Sequence, residues 1–170
     1  MLETLIPAVT ALKNEFSAEV QEFRGEVTLV VKPENNVEAL YALRDRFGFN
    51  FLIDVTAVDY WPEEAPRFHV VYHVLAMKEN LVVRVRVPLE GNNPSLRTSE
   101  TVWPSANWYE REVFDMFGIR FDGHSDMRRI IMPYEWEGHP LRKDYPLGYE
   151  EVAFTFNVEE INLRKPQPKL

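Results

Sequence analysis

The first half of the chain changes hydrophobic period several times, and each change marks an element. Leu5, Ile6, Val9, Leu12 and Phe16 recur at helical spacing with Lys13 and Glu15 outside the stripe, which predicts an amphipathic helix over 3–16. Pro7 falls near its first turn, where a missing amide hydrogen is tolerated. The run EVTLVVK over 26–32 then reads as a strand ended by Pro33. Asn35 or Asn36 caps a second helix that turns Val37, Leu40, Tyr41 and Leu43 to a core, and Gly48 stops it.

Three strands follow, over 49–60, 67–77 and 81–87, joined by the polar stretch WPEEAP and by the tight turn Lys78-Glu79-Asn80, as antiparallel hairpins require. Phe68, Val70, Tyr72 and Val74 share one face of the middle strand and His69, Val71, His73 and Leu75 the other. In the last strand Leu81, Val83, Val85 and Val87 oppose Val82, Arg84 and Arg86. One face is therefore strongly apolar and the other mixed. The fold class expected is two-layer α+β: helices packed on one face of a mostly antiparallel sheet, followed by a helix and an extended C-terminal strap. Residues 91–97 read as a loop leading to a short helix near 95–102, broken by Trp103-Pro104.

Residues 107–146 concentrate charged, aromatic and turn residues. Asn107 as N-cap, Glu110 three residues later and Gly118 as stop predict one helix, with Tyr109, Val113, Met116 and Phe117 as its apolar stripe. Glu110, Arg111, Glu112 and Asp115 fall outside that stripe, where a solvated charged face with an Arg111–Asp115 pair accounts for them. Beyond it, Pro133, Pro140, Pro146, Gly138 and Gly148 forbid a continuous helix and predict a strap. Such a strap cannot satisfy its own backbone and must lie along a surface, of this domain or of another protein. The organisation expected is a single α+β domain over 1–148, containing the helix and strap of 104–146, and an extended tail over 149–170.

Composition narrows the function. A net charge of −8 argues against nucleic acid or an anionic membrane surface as the main partner. Zero cysteines exclude disulfides, thiolate-held iron–sulfur clusters and a thiol nucleophile. No apolar run is long enough to span a bilayer, and Met1-Leu2-Glu3 lacks the basic start of a signal peptide, so a cytoplasmic location with membrane association only through partners is expected. The seven glycines form no nucleotide-binding motif.

Candidate chemistry is sparse. His69 and His73 lie four residues apart on a strand, roughly 13 Å, too far to share a metal ion. His124, Asp126, Glu110 and Glu112 are the residues from which an acid–base or metal-dependent hydrolase would have to be built, although His-x-Asp in a turn is more often a turn-forming pair. No catalytic, cofactor-binding or metal residue is assigned. The arginines suit recognition better, because guanidinium binds carboxylate at two points. Glu110, Arg111 and Asp115 are expected to lock the helix to the strap within the chain, and Arg129, Trp136, Arg142 and Lys143 to meet a partner.

In order and at their intervals, Glu110-Arg111-Glu112, Asp115-Met116-Phe117, His124 and Arg128-Arg129-Ile130-Ile131 resemble the signature of the thirty-kilodalton subunit family (the C-subunit) of NADH-quinone oxidoreductase, respiratory complex I. The following Trp136-Glu137-Gly138 and Pro140-Leu141-Arg142-Lys143-Asp144-Tyr145-Pro146 are similar to the family's second hallmark. The resemblance implies a cofactor-free structural subunit of the peripheral arm, on the cytoplasmic side of the plasma membrane. It would dock to the forty-nine-kilodalton subunit (the D-subunit) beside other peripheral-arm subunits that carry the flavin and iron–sulfur clusters. The signature residues Glu110, Arg111, Glu112, Asp115, His124 and Arg128 are expected to form a structural network, and Arg129, Trp136, Arg142, Lys143 and Asp144 of the strap a partner interface. The equivalent subunit of a membrane-bound hydrogenase or a photosynthetic complex shares the signature and is the nearest alternative.

Overall fold

The computed structural model describes residues 3–63, 65–146 and 158–164. A 3-10 turn at Glu3–Leu5 leads into helix α1 (Ile6–Phe16), which buries Ala8, Val9 and Leu12. Strand β1 (Glu19–Phe23) is an element the pattern does not announce, since EVQEF has little apolar alternation and lies mostly exposed at the sheet edge. It pairs antiparallel with β2 (Glu26–Val30) through Arg24-Gly25, both at positive φ, which gives the twist a two-residue hairpin needs. Helix α2 (Asn36–Phe47) follows a 3-10 turn at Pro33–Asn35, buries Val37, Leu40 and Leu43, and ends at Gly48.

The predicted hairpins are present as β3 (Phe51–Asp59), β4 (Phe68–Ala76) and β5 (Leu81–Leu89), paired antiparallel in sequence. Sheet order is β1-β2-β5-β4-β3, with β2 and β5 the one parallel pair. Val70, Tyr72, Val74, Val83, Val85 and Val87 are fully buried and pack into one core with Leu12, Leu40 and Leu43 of the helices. This is the mixed α+β architecture expected. The other face carries polar ladders: Asp54, His73, Arg84 and Glu26 join across β3, β4, β5 and β2, and Arg86 bonds His69 and Tyr60. Burial, with the Arg86 charge beside it, lowers the His69 pKa to about 4 and keeps the ring neutral.

The expected short helix near 95–102 is instead strand β6 (Ser95–Arg97). Leu96 is buried while Ser95 and Arg97 point outward, a period of two rather than 3.6. Helix α3 (Ala106–Phe117) comes next, then β7 (Arg120–Asp122), which pairs parallel with β6 and buries Phe121 beside Leu96. A second correction concerns the tail. Residues 158–164 form a short helix, α4 (Val158–Arg164), with an Arg164–Glu160 pair one turn apart, where an extended segment was expected. Residues 149–157 and 165–170 of that tail lie outside the described residues. Among the described residues no helix is long and apolar enough to cross a membrane.

Candidate functional site

Helix α3 is amphipathic as predicted, with Val113, Met116 and Phe117 buried and Gly118 closing it at φ +73°. Its start differs. Asn107 lies inside the helix, and its amide bonds the side chains of Glu100 and Ser125, both at 3.1 Å. Ser105 occupies the cap position without a side-chain bond. More consequentially, two of the four charges assigned to a solvated face are fully buried, namely Glu110 and Asp115.

Asp115 organises the strap. Its Oδ2 accepts the amide hydrogens of Ile130, Ile131 and Met132 at 3.0, 2.8 and 2.8 Å, and its Oδ1 accepts Arg129 Nη1 at 2.6 Å. Three successive amides converging on one oxygen form an anion nest made by the strap and filled by the helix. Burial alone would raise this carboxyl. The amides of Met132 and Ile131, the Arg129 guanidinium and the Ile130 amide outweigh that and hold it below the ordinary aspartate range. The Arg111–Asp115 pair expected from spacing does not form. Arg111 reaches instead to the carbonyls of Arg128 (3.1 Å) and Arg129 (3.4 Å), a second tie between helix and strap.

The last carbonyls of α3 are also closed by the strap, which answers where a helix end finds its partners. His139 Nδ1 donates to Asp115 O at 3.0 Å, the Leu141 amide to Met116 O at 3.0 Å, and Arg142 Nε to Phe117 O at 2.5 Å. Gly118 is the pivot of this contact. A Cβ there would stand 2.5 Å from the His139 ring and 2.6 Å from Arg142 Nη2, at a φ that L residues disfavour. Gly118→Ala is expected to cost about 1–2 kcal/mol for the backbone alone and more as His139 and Arg142 are displaced. The measurements are a lowered Tm and faster trypsin cleavage after Arg142 and Lys143.

The far end of the strap is clasped by two residues that the hydrophobic pattern does not single out. Arg67 is fully buried between the rings of Trp61 and Phe68, at 4.7 and 4.6 Å from their centroids. Its Nε and Nη2 form a two-point bond with Asp59 (3.0 Å each), Nη2 also meets Asp144 Oδ1 at 2.8 Å, and Nη1 bonds Asn92. Asp59 Oδ2 in turn accepts the Lys143 amide at 2.9 Å. Burial would raise Asp59, but Arg67 and the amides of Lys143 and Trp61 keep it below the ordinary range. The only sequence signal was an arginine after Pro66 at the mouth of an apolar strand, opposite an aspartate ending its neighbour.

Glu110 locks a different joint from the one expected. Its Oε1 accepts the Ser99 amide (2.7 Å) and hydroxyl (2.6 Å), and its Oε2 accepts the Thr98 hydroxyl (2.5 Å), tying α3 to the segment after β6 rather than to an arginine of the strap. Burial pushes its carboxyl up, with those donors pulling against it. His124 accepts the Asp126 amide on Nδ1 at 2.9 Å and is 3.1 Å from Asn107 O through Nε2, so the ring is the Nε2–H tautomer of a structural turn. Glu112 is exposed and stands apart from buried Glu110. Among the described residues no three His, Asp or Glu side chains are placed to hold a metal ion.

Of the residues assigned to a partner interface, Arg129 bonds within the chain through Nη1 and Nη2 and Arg142 through Nε, Lys143 and Asp144 are exposed, and Trp136 is half-buried. Arg128 is exposed and forms a two-point bond with Asp126 at 2.6 and 2.7 Å. Among the charged residues that the strap and α3 present outward stand five exposed large hydrophobics, Trp108, Ile130, Ile131, Tyr134 and Leu141, with Tyr134 at 94%.

The family model described as respiratory-chain NADH dehydrogenase, 30 Kd subunit, matches residues 29–151. The chain is 49% identical over 150 residues to the NADH-quinone oxidoreductase C-subunit of Roseiflexus sp. (strain RS-1), covering 87% of this chain and 86% of that protein. It is 50% identical over 157 residues to the same subunit of Rhodobacter capsulatus, covering 86% and 76%. Among solved structures it is similar to the trypsin-resistant fragment (1-134) of Nqo5, with a TM-score of 0.65, 32% identity, and coverage of 72% of this chain and 98% of that one. A chain of the membrane-bound sulfane sulfur reductase, an archaeal respiratory membrane complex, matches with a TM-score of 0.69, 25% identity, and coverage of 79% and 81%.

Proposed function

The chain belongs to the 30 Kd subunit family of respiratory-chain NADH dehydrogenase and is a subunit of complex I, and from that premise we propose that it is a cofactor-free scaffold of the enzyme's peripheral arm. It docks to the forty-nine-kilodalton subunit and thereby supports electron transfer from NADH to quinone by the proton-translocating machine. It has no active site of its own, and the flavin and iron–sulfur clusters belong to partner subunits. Its place is the cytoplasmic side of the plasma membrane, reached through those partners.

One observation carries this reading. The strap is held rigid by Asp115 and the Arg67 clasp while Ile131, Tyr134 and Leu141 face outward. An ordered backbone bearing exposed aromatic and aliphatic side chains loses little freedom on docking, which is how interface anchors gain affinity. The likeness to the sulfane sulfur reductase chain favours, as a second reading, the equivalent scaffold of a sister machine. Identity of 49% to the Roseiflexus NADH-quinone oxidoreductase subunit against 25% to that chain ranks the respiratory enzyme first.

The test is capture of the tagged chain from its native membranes in mild detergent, beside the double variant Ile131→Ala, Tyr134→Ala. Wild type is expected to bring the forty-nine-kilodalton subunit with flavin- and cluster-bearing subunits. The variant is expected to keep its Tm, because both residues are exposed, and to lose partner recovery by about tenfold or more. Undiminished recovery would remove the strap from the interface, and wild type recovered alone would overturn the complex reading.

A further inference from the structure

We infer that the cavity between α3 and the strap, lined by Arg111, Arg128, Arg129, Met132 and Tyr134, receives an aspartate or glutamate side chain of a partner subunit. This rests on the subunit reading above and names the chemistry of one contact within it.

Size sets the class of ligand. The cavity holds about 220 Å³, below the roughly 300–1,000 Å³ of small-molecule and cofactor sites. It suits one side chain.

Charge sets the sign. Three guanidinium groups face the cavity, and the carboxylates paired with them are Asp115 and Asp126, so one positive charge is left over. Glu112 is exposed and lies outside the lining. The unspent donors are identifiable. Arg111 uses Nε and Nη2 on backbone carbonyls, and its Nη1 stands 4.0 Å from Asp126, beyond hydrogen-bond length. Arg128 uses Nε and Nη2 on Asp126, which leaves Nη1 without a bond among the described residues.

The site is also built in advance. Arg111 is 11% exposed and stacked on Trp108 at 5.1 Å, and Arg129 is pinned by Asp115 and by the Gly138 carbonyl. Fixed guanidinium planes bind carboxylate at low entropic cost. The rim argues for a protein occupant rather than a free anion. Exposed Tyr134 lines the cavity beside the arginines, and aromatic residues with arginine mark interface centres, whereas a hydrated ion gains nothing from them.

Arg128→Lys converts the cavity into its own reporter. A lysine amine in contact with a carboxylate is joined to it by a zero-length carbodiimide, and arginine is not, so the wild-type complex is the blank. The experiment uses the whole complex purified from membranes, with cross-linked peptides identified by mass spectrometry. The expected product joins position 128 to an acidic residue of another subunit, and changing that acid to its amide is expected to weaken assembly about tenfold or more. Complex that assembles but yields only the internal link to Asp126, or no link, overturns the inference and leaves the subunit reading standing. A Tm rise of the isolated chain with inorganic phosphate, without an intersubunit link, assigns the cavity to a small anion and also overturns it. If the wild-type chain captures no partner, both readings fall together.

Discussion

Asp115→Asn is expected to release the strap from the domain. The amides of residues 130–132 converge on one carboxylate oxygen and Arg129 on the other, so an amide side chain must fail on one side. With its oxygen toward the backbone amides, its NH₂ faces a guanidinium. With its oxygen toward Arg129, its NH₂ faces three N–H groups. Removing the anion also leaves Arg129 without its counter-charge, and breaking a buried pair of this kind costs about 3–5 kcal/mol. In a chain of this size each kcal/mol moves Tm by roughly 2–4 °C, so a fall of about 10 °C is expected, with rapid trypsin cleavage after Arg128 and Arg129. A variant with wild-type Tm and protease resistance would show that the strap is held elsewhere.

The same carboxylate gives the contact a pH dependence of known sign. Asp115 and Asp59 are both lowered in the folded chain. Their contribution is therefore complete above the ordinary aspartate value, about 3.9, and is lost as pH falls through it toward their folded values. Glu110 is raised and acts oppositely, weakening the fold as pH rises through its ordinary range. Comparison of variants separates the two. The Tm gap between wild type and Asp115→Asn is expected to be widest near neutrality and to close below about pH 4.

Arg67→Met carries the other large expected effect. It leaves Asp59, 1% exposed, buried with backbone donors alone, and frees Asp144 and with it the end of the strap. A loss of about 3–5 kcal/mol follows for the single change. Arg67→Lys keeps the charge but not the two-point fork to Asp59, so it recovers only part of that. The double change Asp59→Leu, Arg67→Leu is expected to be milder than Arg67→Met, because no charge is then stranded in the interior. Denaturant midpoints of the three variants order these outcomes. A double variant less stable than Arg67→Met would show that the clasp contributes beyond neutralising its own charges.

The structure separates residues that hold the strap from residues that the strap exposes. Asp115, Arg111 and Glu110 fix backbone: the first two hold the strap and the third holds the segment that carries β6. Their loss is expected to read out as instability, whereas loss of Ile131 and Tyr134 reads out as failed partner capture. Those two phenotypes separate fold from interface within one short segment.

By itself the sequence determined the layers. Apolar alternation and glycine stops placed α1, α2, α3 and β2 to β5 close to their observed ends, because local period and turn chemistry are properties of neighbouring residues. It also marked residues 107–146 as the segment of interest and tied them to a family, on charges whose partners it could not assign. Where it erred, the deciding contact was distant. Ser95–Arg97 is a strand because Arg120–Asp122 arrives beside it, and β1 exists because β2 offers an edge to pair with. Glu110 and Asp115 could be read either as a solvated face or as ties to the strap, because helical spacing reports which residues share a face, not what later covers that face. Asp115 is covered by a nest formed 15 to 17 residues on. Arg67 shows locally only its place after Pro66 at the mouth of a strand, because Asp59 and Asp144 join it only after the hairpin and the strap have closed. A charge is stable inside a protein only when several groups reach it at once, and it is tertiary structure that brings them there.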